Sequence, residues 1–191
     1  MIASYRIIVA LWLAFIAYWF LTAGRTKKTA RRARWWQGRA LRLGIVILVL
    51  ILAQAPGVSG PAWSFWERLG LTGPVPAALG AALCALGIGI AIWARVYIGA
   101  NWGMPMSLRE GHELVTSGPY AYVRHPIYSG ILLAMLGTAI TDGPPWLVIL
   151  LLFGAYFIYG ARIEERDMAA QFPTTYPAYV RRTKMLAPFL F

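Results

Sequence analysis

The sequence predicts an all-α polytopic membrane protein with about five transmembrane helices, the last two forming a helical hairpin. Composition is the first reason. Of 191 residues, 59% are hydrophobic and 13% charged, with a mean hydropathy of +0.59, whereas a soluble domain gives roughly a quarter of its residues to charge. Apolar runs near the ~20 residues needed to cross hydrocarbon are the second. The third is the placing of basic residues between those runs, so the net charge of +11 reads as a membrane-surface bias. Nucleic acid is not an expected partner.

The first span, Ile7 to Ala23, carries no charge and is flanked by Arg6 and Arg25. Its basic flank follows the apolar run, and Thr22-Ala23-Gly24 makes a poor cleavage site, so it is expected to be a retained helix rather than a signal peptide. Ala40 to Val58 is the second span, with Arg42 near enough to its end to snorkel. Pro76 to Ile98 is the third, and its one charge, Arg95, lies near its C-terminal end. Ile127 to Ile140 and Pro145 to Ala161 are the fourth and fifth, joined by the turn signal Thr141-Asp142-Gly143-Pro144. Fourteen residues rise only about 21 Å. The fourth span therefore tilts, borrows residues from the preceding loop, or turns back before crossing.

Orientation follows from the cations. Eight lie between the first two spans or, for Arg42, just inside the second, three around the loop after the third, and five in the tail; these make sixteen of the eighteen Lys and Arg. Five spans put all three groups on one side, leaving Arg6 and Arg68 opposite. The expected topology has the N-terminus outside and the C-terminus in the cytoplasm. Trp35 and Trp36 at the second span, and Trp63, Phe65 and Trp66 in a short outer interfacial helix, read as anchors. Gly80, Gly87 and Gly89 are expected to let helices approach closely. Cys84, the single cysteine, excludes a disulfide or thiolate cluster within the chain and reads as a small buried hydrophobe.

Chemistry concentrates in two segments. Within the polar connection Gly99 to Pro126, Gly118-Pro119 is a turn, and Tyr120 and Tyr122 alternate as on an extended strand. Pro126 disfavours the helical region for His125, placing it just before the fourth helix. Arg124 and His125 then stand at a helix N-terminus, which favours an anion or a carboxylate, and Tyr128 lies about half a turn inside. Glu164 and Glu165 follow the fifth span directly. Adjacent carboxylates near lipid repel each other and need a cation: Arg162, Arg166, Arg124, or a bound one. The hairpin brings both segments to one cytosolic pocket. A plain interfacial salt-bridge cluster is the alternative.

These residues carry a resemblance. H-E-L-V-T-S-G-P-Y-A-Y-V-R-H-P-I-Y-S-G from His112, then R-I-E-E-R from Arg162, F-P-T-T-Y-P-A-Y from Phe172 and a closing A-P-F, resemble the isoprenylcysteine carboxyl methyltransferase family. They are also similar to the wider group containing phospholipid N-methyltransferases and small bacterial or archaeal membrane methyltransferases. The likeness spans His112 to Phe189, with a weaker echo in Arg95 to Trp102. It implies an integral membrane enzyme that holds S-adenosylmethionine in a cytosolic pocket without a Rossmann domain. By the same resemblance, His112, Leu114 and Val115 border the adenine, and Gly118 and Tyr120 shape the turn. His125 and Tyr128 contact the cofactor, and Glu164 and Glu165 hold its ammonium and ribose end. Arg124 places the substrate, so Arg124 and Glu165 are the implied catalytic pair. Where the family commonly has Phe-Gly before its tyrosine pair, this chain has Phe172-Pro173.

One domain, 1–191, is expected: N-terminal transmembrane helices over 1–98 and a cofactor-binding catalytic region over 99–191. The leading expectation is methyl transfer to a lipophilic acceptor from the bilayer, with membrane lipids as the other partners. A nicotinamide-dependent membrane reductase of sterol-reductase type is the competing enzyme class, although this chain is short for one. A transporter or scaffold is the third, weakened because the five spans carry no acidic residue at mid-depth. A metal site is not expected, since His112 and His125 are the only histidines and lack a cysteine partner.

Overall fold

The computed structural model describes residues 2–22, 29–31, 64–69, 71–102, 108–109 and 113–187. Among the described residues, five helices carry the fold: α1 (Ile2–Thr22), α2 (Pro74–Ile98), α3 (Pro126–Asp142), α4 (Pro145–Gln171) and α5 (Tyr176–Arg182). The prolines mark the starts. Pro74, Pro126 and Pro145 each open a helix, where the missing N–H is no loss. Gly143 ends α3 with a φ of +98°, its N–H bonded to the Ala139 carbonyl, and the chain restarts at once as α4. The expected hairpin is therefore present. The expected span at Ala40 to Val58 lies outside the described residues, as do Trp35, Trp36 and Trp63.

α1, α2 with the turn that follows it, and α4 are long and apolar enough to cross a membrane, and α3 is a shorter apolar helix of 17 residues. Leu13 and Phe20 on α1, Leu79 and Leu86 on α2, and Leu151 on α4 are exposed. In water such surfaces would be costly; against lipid tails they are not. The chain is an integral membrane protein.

α2 and α3 pack antiparallel with their backbones in close approach. A Cβ at Gly87 would collide with the Gly130 carbonyl and the Ala134 N–H, and one at Gly137 with Gly80 and Cys84 backbone atoms. Gly80 and Gly87 thus act as the sequence expects. Gly89 does not: its Cβ would meet open space, because it faces away from α3. Thr138, fully buried, joins three helices by accepting from Trp12 Nε1 at 3.0 Å, donating to the Ala134 carbonyl, and touching Cys84. α1 lies parallel to α2. Phe15 packs in the α2 core cluster, Trp19 meets Trp102 edge-to-face at 5.8 Å, and the Thr22 carbonyl accepts from Arg95 Nη2 at 3.0 Å.

Three local expectations change. Residues Gly118–Ala121 form a 3-10 turn rather than an extended strand, so Tyr120 is buried while Tyr122 is exposed. The cause is Gly118, at φ +59° beneath the Tyr97 ring, where any Cβ would strike that ring. Secondly, α4 continues ten residues beyond Ala161, so Glu164 and Glu165 sit within the helix rather than after it. Thirdly, the helical turn at 64–68 buries Trp66 and exposes Phe65, so only one of that pair is placed as a lipid anchor. Two short strands, β1 (Thr29–Arg31) and β2 (Leu108–Arg109), pair antiparallel, an element the sequence did not signal.

Candidate active site

The site begins at the corner 123–125, which lies outside any helix and so needs acceptors for its backbone N–H groups. The tail supplies them. Val123 pairs in parallel with Lys184, Arg124 N–H donates to the Lys184 carbonyl at 2.9 Å, and His125 N–H to the Met185 carbonyl at 3.1 Å. Ser129 Oγ extends the strap by donating to the Leu186 carbonyl. α5 is anchored in turn: Tyr179 OH donates to the Tyr120 carbonyl at 2.7 Å, and Thr183 Oγ1 to the Tyr179 carbonyl. Burial pushes the Tyr179 phenol up to about 12, so it remains a neutral donor.

The two glutamates divide. Glu165 Oε1 accepts from Arg124 Nε at 2.6 Å, and the same guanidinium donates through Nη1 to the Thr183 carbonyl at 2.6 Å. Glu164 Oε1 accepts from Tyr128 OH at 2.6 Å. One helical step (100°) between the two residues aims the carboxylates differently, so each finds its own partner.

His125 lies between them. Its Nδ1 is 3.5 Å from Glu164 Oε2 and its Nε2 3.4 Å from Glu165 Oε1. The second contact is close enough for charge attraction, but its geometry forms no hydrogen bond, so Nε2 is buried without one. The imidazole stacks on Tyr128 (centroids 5.4 Å apart, planes 5° apart), which stacks on Phe157 at 4.5 Å. Burial alone would depress the His125 pKa. The Glu164 and Glu165 carboxylates on either side of the ring outweigh it and hold the pKa above the ordinary value.

Beside this cluster is a cavity of about 270 Å³. Leu114, Val115, Tyr120, Arg124, His125, Tyr128 and Glu164 line it, so seven of the ten residues proposed from sequence meet at one space. Gly118 and Glu165 do not line it: the glycine lies under Tyr97, and the glutamate faces Arg124. His112 lies outside the described residues. Sequence reasoning missed Phe15 and Trp19 of α1, Trp102, and Tyr176 and Tyr179 as lining groups. The tyrosines were visible in the tail motif. From Ile7 to Leu21 α1 is apolar on every face, which offers no pattern to show which side meets a cavity.

A membrane-embedded helical bundle with a charge-edged, aromatic cavity at the ends of its helices is the class that fold and site define. Within that class the chain belongs to the phospholipid methyltransferase family, whose model matches residues 75–175, more than half of the sequence. The match takes in α2, the 123–125 corner and both glutamates. Among similar proteins is methanethiol S-methyltransferase 2 of Bradyrhizobium diazoefficiens, 45% identical over 83 residues, which are 43% of this chain and 31% of that one. A cobalt-zinc-cadmium resistance protein of Cupriavidus metallidurans is 36% identical over 114 residues, 59% of this chain and 47% of its own. The solved structure of the eukaryotic intramembrane Ras methyltransferase, an isoprenylcysteine carboxyl methyltransferase, shares the fold. Its TM-score is 0.53 at 23% identity, over 72% of this chain and 54% of that one. The chain thus spans about half the length of these relatives, or less.

Proposed function

We propose that the chain transfers a methyl group from S-adenosylmethionine to a lipophilic acceptor at the membrane–cytosol boundary. The observation that carries this is the mixed lining of one cavity: the clustered Glu164, Arg124 and His125, together with Glu113 and Asn101, share it with apolar and aromatic side chains such as Phe15, Trp19, Trp102 and Phe157. The chemistry of that lining fits the donor. A sulfonium and an ammonium are favoured by a carboxylate, which Glu164 offers, and by aromatic side chains, of which the cavity lining holds several. When bound, S-adenosylmethionine supplies an electrophilic methyl group and a neutral thioether leaving group.

The residues then have distinct tasks. Tyr128 fixes the Glu164 carboxylate, which holds the cationic end of the donor. Leu114 and Val115 border the adenine, and Tyr120 closes the turn beside them. Gly118 shapes the turn that carries Tyr120 to the cavity. Arg124 faces the cavity and orients the acceptor, while Glu165 and the Thr183 carbonyl hold Arg124 in place. Alignment of nucleophile and methyl carbon is the main demand of an in-line displacement. The corner meets it by rigidity. A carboxylate acceptor needs no base; for a thiol or amine, His125 or a glutamate beside it takes the proton.

The proposed topology puts the N-terminus outside and the tail and site in the cytoplasm, following the basic residues. A single domain over 1–191 is proposed with it. The test is incorporation of labelled methyl from S-adenosylmethionine into thiols, prenylcysteine analogues and lipids, comparing wild type with Glu164→Gln. Transfer by wild type and its loss in the variant are expected. Saturable binding of a reduced nicotinamide, with no methyl incorporation, would reject the proposal.

A further inference from the structure

We propose that α1 builds the acceptor end of the cavity: Phe15 and Trp19, with Trp102, form an aromatic wall that receives the acceptor's apolar body and sets its size, and Arg95 is the positioning residue for that wall. This rests on the methyl-transfer reading above.

The first ground is charge. Arg124, His125 and Glu164 gather around one another, whereas Phe15, Trp19 and Trp102 form a continuous row of rings that carries no charge of its own; Glu113 also lines the cavity, and Arg95, which touches two of the rings, does not. An ionic headgroup placed there would lose its hydration without replacement. An uncharged apolar chain would not. Depth is the second ground. Trp19 and Phe15 lie three and seven residues before the end of α1 at Thr22, about 5 and 10 Å into its apolar run. The acceptor is thus met at bilayer depth. Thirdly, Phe15 and Trp19 lie before the family match at 75–175, whereas Arg124, His125, Glu164 and, with them, Arg95 and Trp102 lie inside it.

Arg95 ties the wall together. It is 3% exposed, and its guanidinium carbon lies 4.6 Å from the Trp102 ring centroid and 6.0 Å from that of Trp19. Nη1 donates to the Gly99 carbonyl at 2.9 Å and Nη2 to the Thr22 carbonyl at 3.0 Å. One planar fork therefore joins the end of α1 to the turn after α2 while contacting both indoles. A lysine ammonium, a point charge on a flexible stem, cannot hold that arrangement.

The experiment uses the full chain, purified in membranes, with alkanethiols from methanethiol to decanethiol and N-acetyl-S-farnesylcysteine as acceptors. S-adenosylhomocysteine affinity is measured in parallel. Trp19→Ala is expected to raise the ratio of kcat/KM for long over short acceptors by ~10-fold or more, with the S-adenosylhomocysteine Kd moving less than about two-fold. Arg95→Lys is expected to raise acceptor KM without that change in Kd. Should Trp19→Ala not fold, Trp19→Phe and Phe15→Leu are read in its place, with a smaller shift in the same direction. An unchanged chain-length profile in an active enzyme overturns the proposal. So does a fall in S-adenosylhomocysteine affinity as large as the fall in acceptor kcat/KM, which would make the wall part of the donor site. A wild type that neither binds S-adenosylhomocysteine nor transfers methyl overturns the methyl-transfer reading, and this proposal with it.

Discussion

Arg124 and Glu165, 41 positions apart, meet through a 2.6 Å contact between Nε and Oε1, with side-chain exposures of 10% and 18%. The pair fastens the N-terminal corner of α3 to the far end of α4 and is mostly withdrawn from water. Removing one partner of such a pair strands the other. Arg124→Ala is expected to cost about 3 kcal/mol, and so is Glu165→Ala. The double variant is expected to recover ~1 kcal/mol or more of their sum. A double-mutant cycle by thermal unfolding in detergent checks this, and strict additivity would mean the contact contributes nothing.

His125 makes the corner sensitive to pH. Its pKa is raised in the folded state by the two glutamates, despite burial. A raised value means that its contribution to stability is fully present below the unfolded imidazole pKa, about 6.5, and is lost as pH rises through the folded value. Wild type is expected to lose melting temperature across that window relative to His125→Gln. Parallel pH profiles for the two proteins would contradict it.

The glycines of α2 offer an internal comparison. Gly87→Ala drives a methyl group into α3 backbone atoms, whereas Gly89→Ala meets open space. The first is expected to destabilise by about 1–3 kcal/mol. The second is expected to be neutral, or to stabilise by ~0.5 kcal/mol through helix propensity in place of glycine freedom. Melting temperatures of both variants, measured side by side, separate the two positions.

Tyr128→Phe removes one hydroxyl and preserves the ring stack between His125 and Phe157. Glu164 then loses a charge-assisted hydrogen bond of about 1.5 kcal/mol. S-adenosylhomocysteine binding is expected to weaken roughly ten-fold, with a fall in melting temperature of only about 3–6 °C. A large loss of stability would make the hydroxyl a structural strut instead.

Much of this arrangement was legible in the chain. Gly143 and Pro145 marked the hairpin because turn chemistry is local, and Pro126 located His125 for the same reason. The hairpin then required 123–128 and 164–165 to meet. What escaped notice depends on contacts between distant segments. Gly118 forces a 3-10 turn on Tyr120 because the Tyr97 ring lies over it, which tyrosine alternation cannot reveal. The division of labour between Glu164 and Glu165 depends on rotation about α4, and the helix had been expected to end before them. Phe172-Pro173 left the tail's path open; in the structure α4 stops at Gln171, α5 begins at Tyr176, and the strap beyond it meets Arg124 and His125. α1 met the cavity without any polar residue to announce it.

The most direct test of the donor site is calorimetric titration of S-adenosylhomocysteine into wild type and Glu164→Gln. Saturable binding to wild type is predicted, with affinity lowered at least ~10-fold in the variant. Equal affinity in both proteins, or no binding to either, would contradict a donor held by the charged end of the cavity.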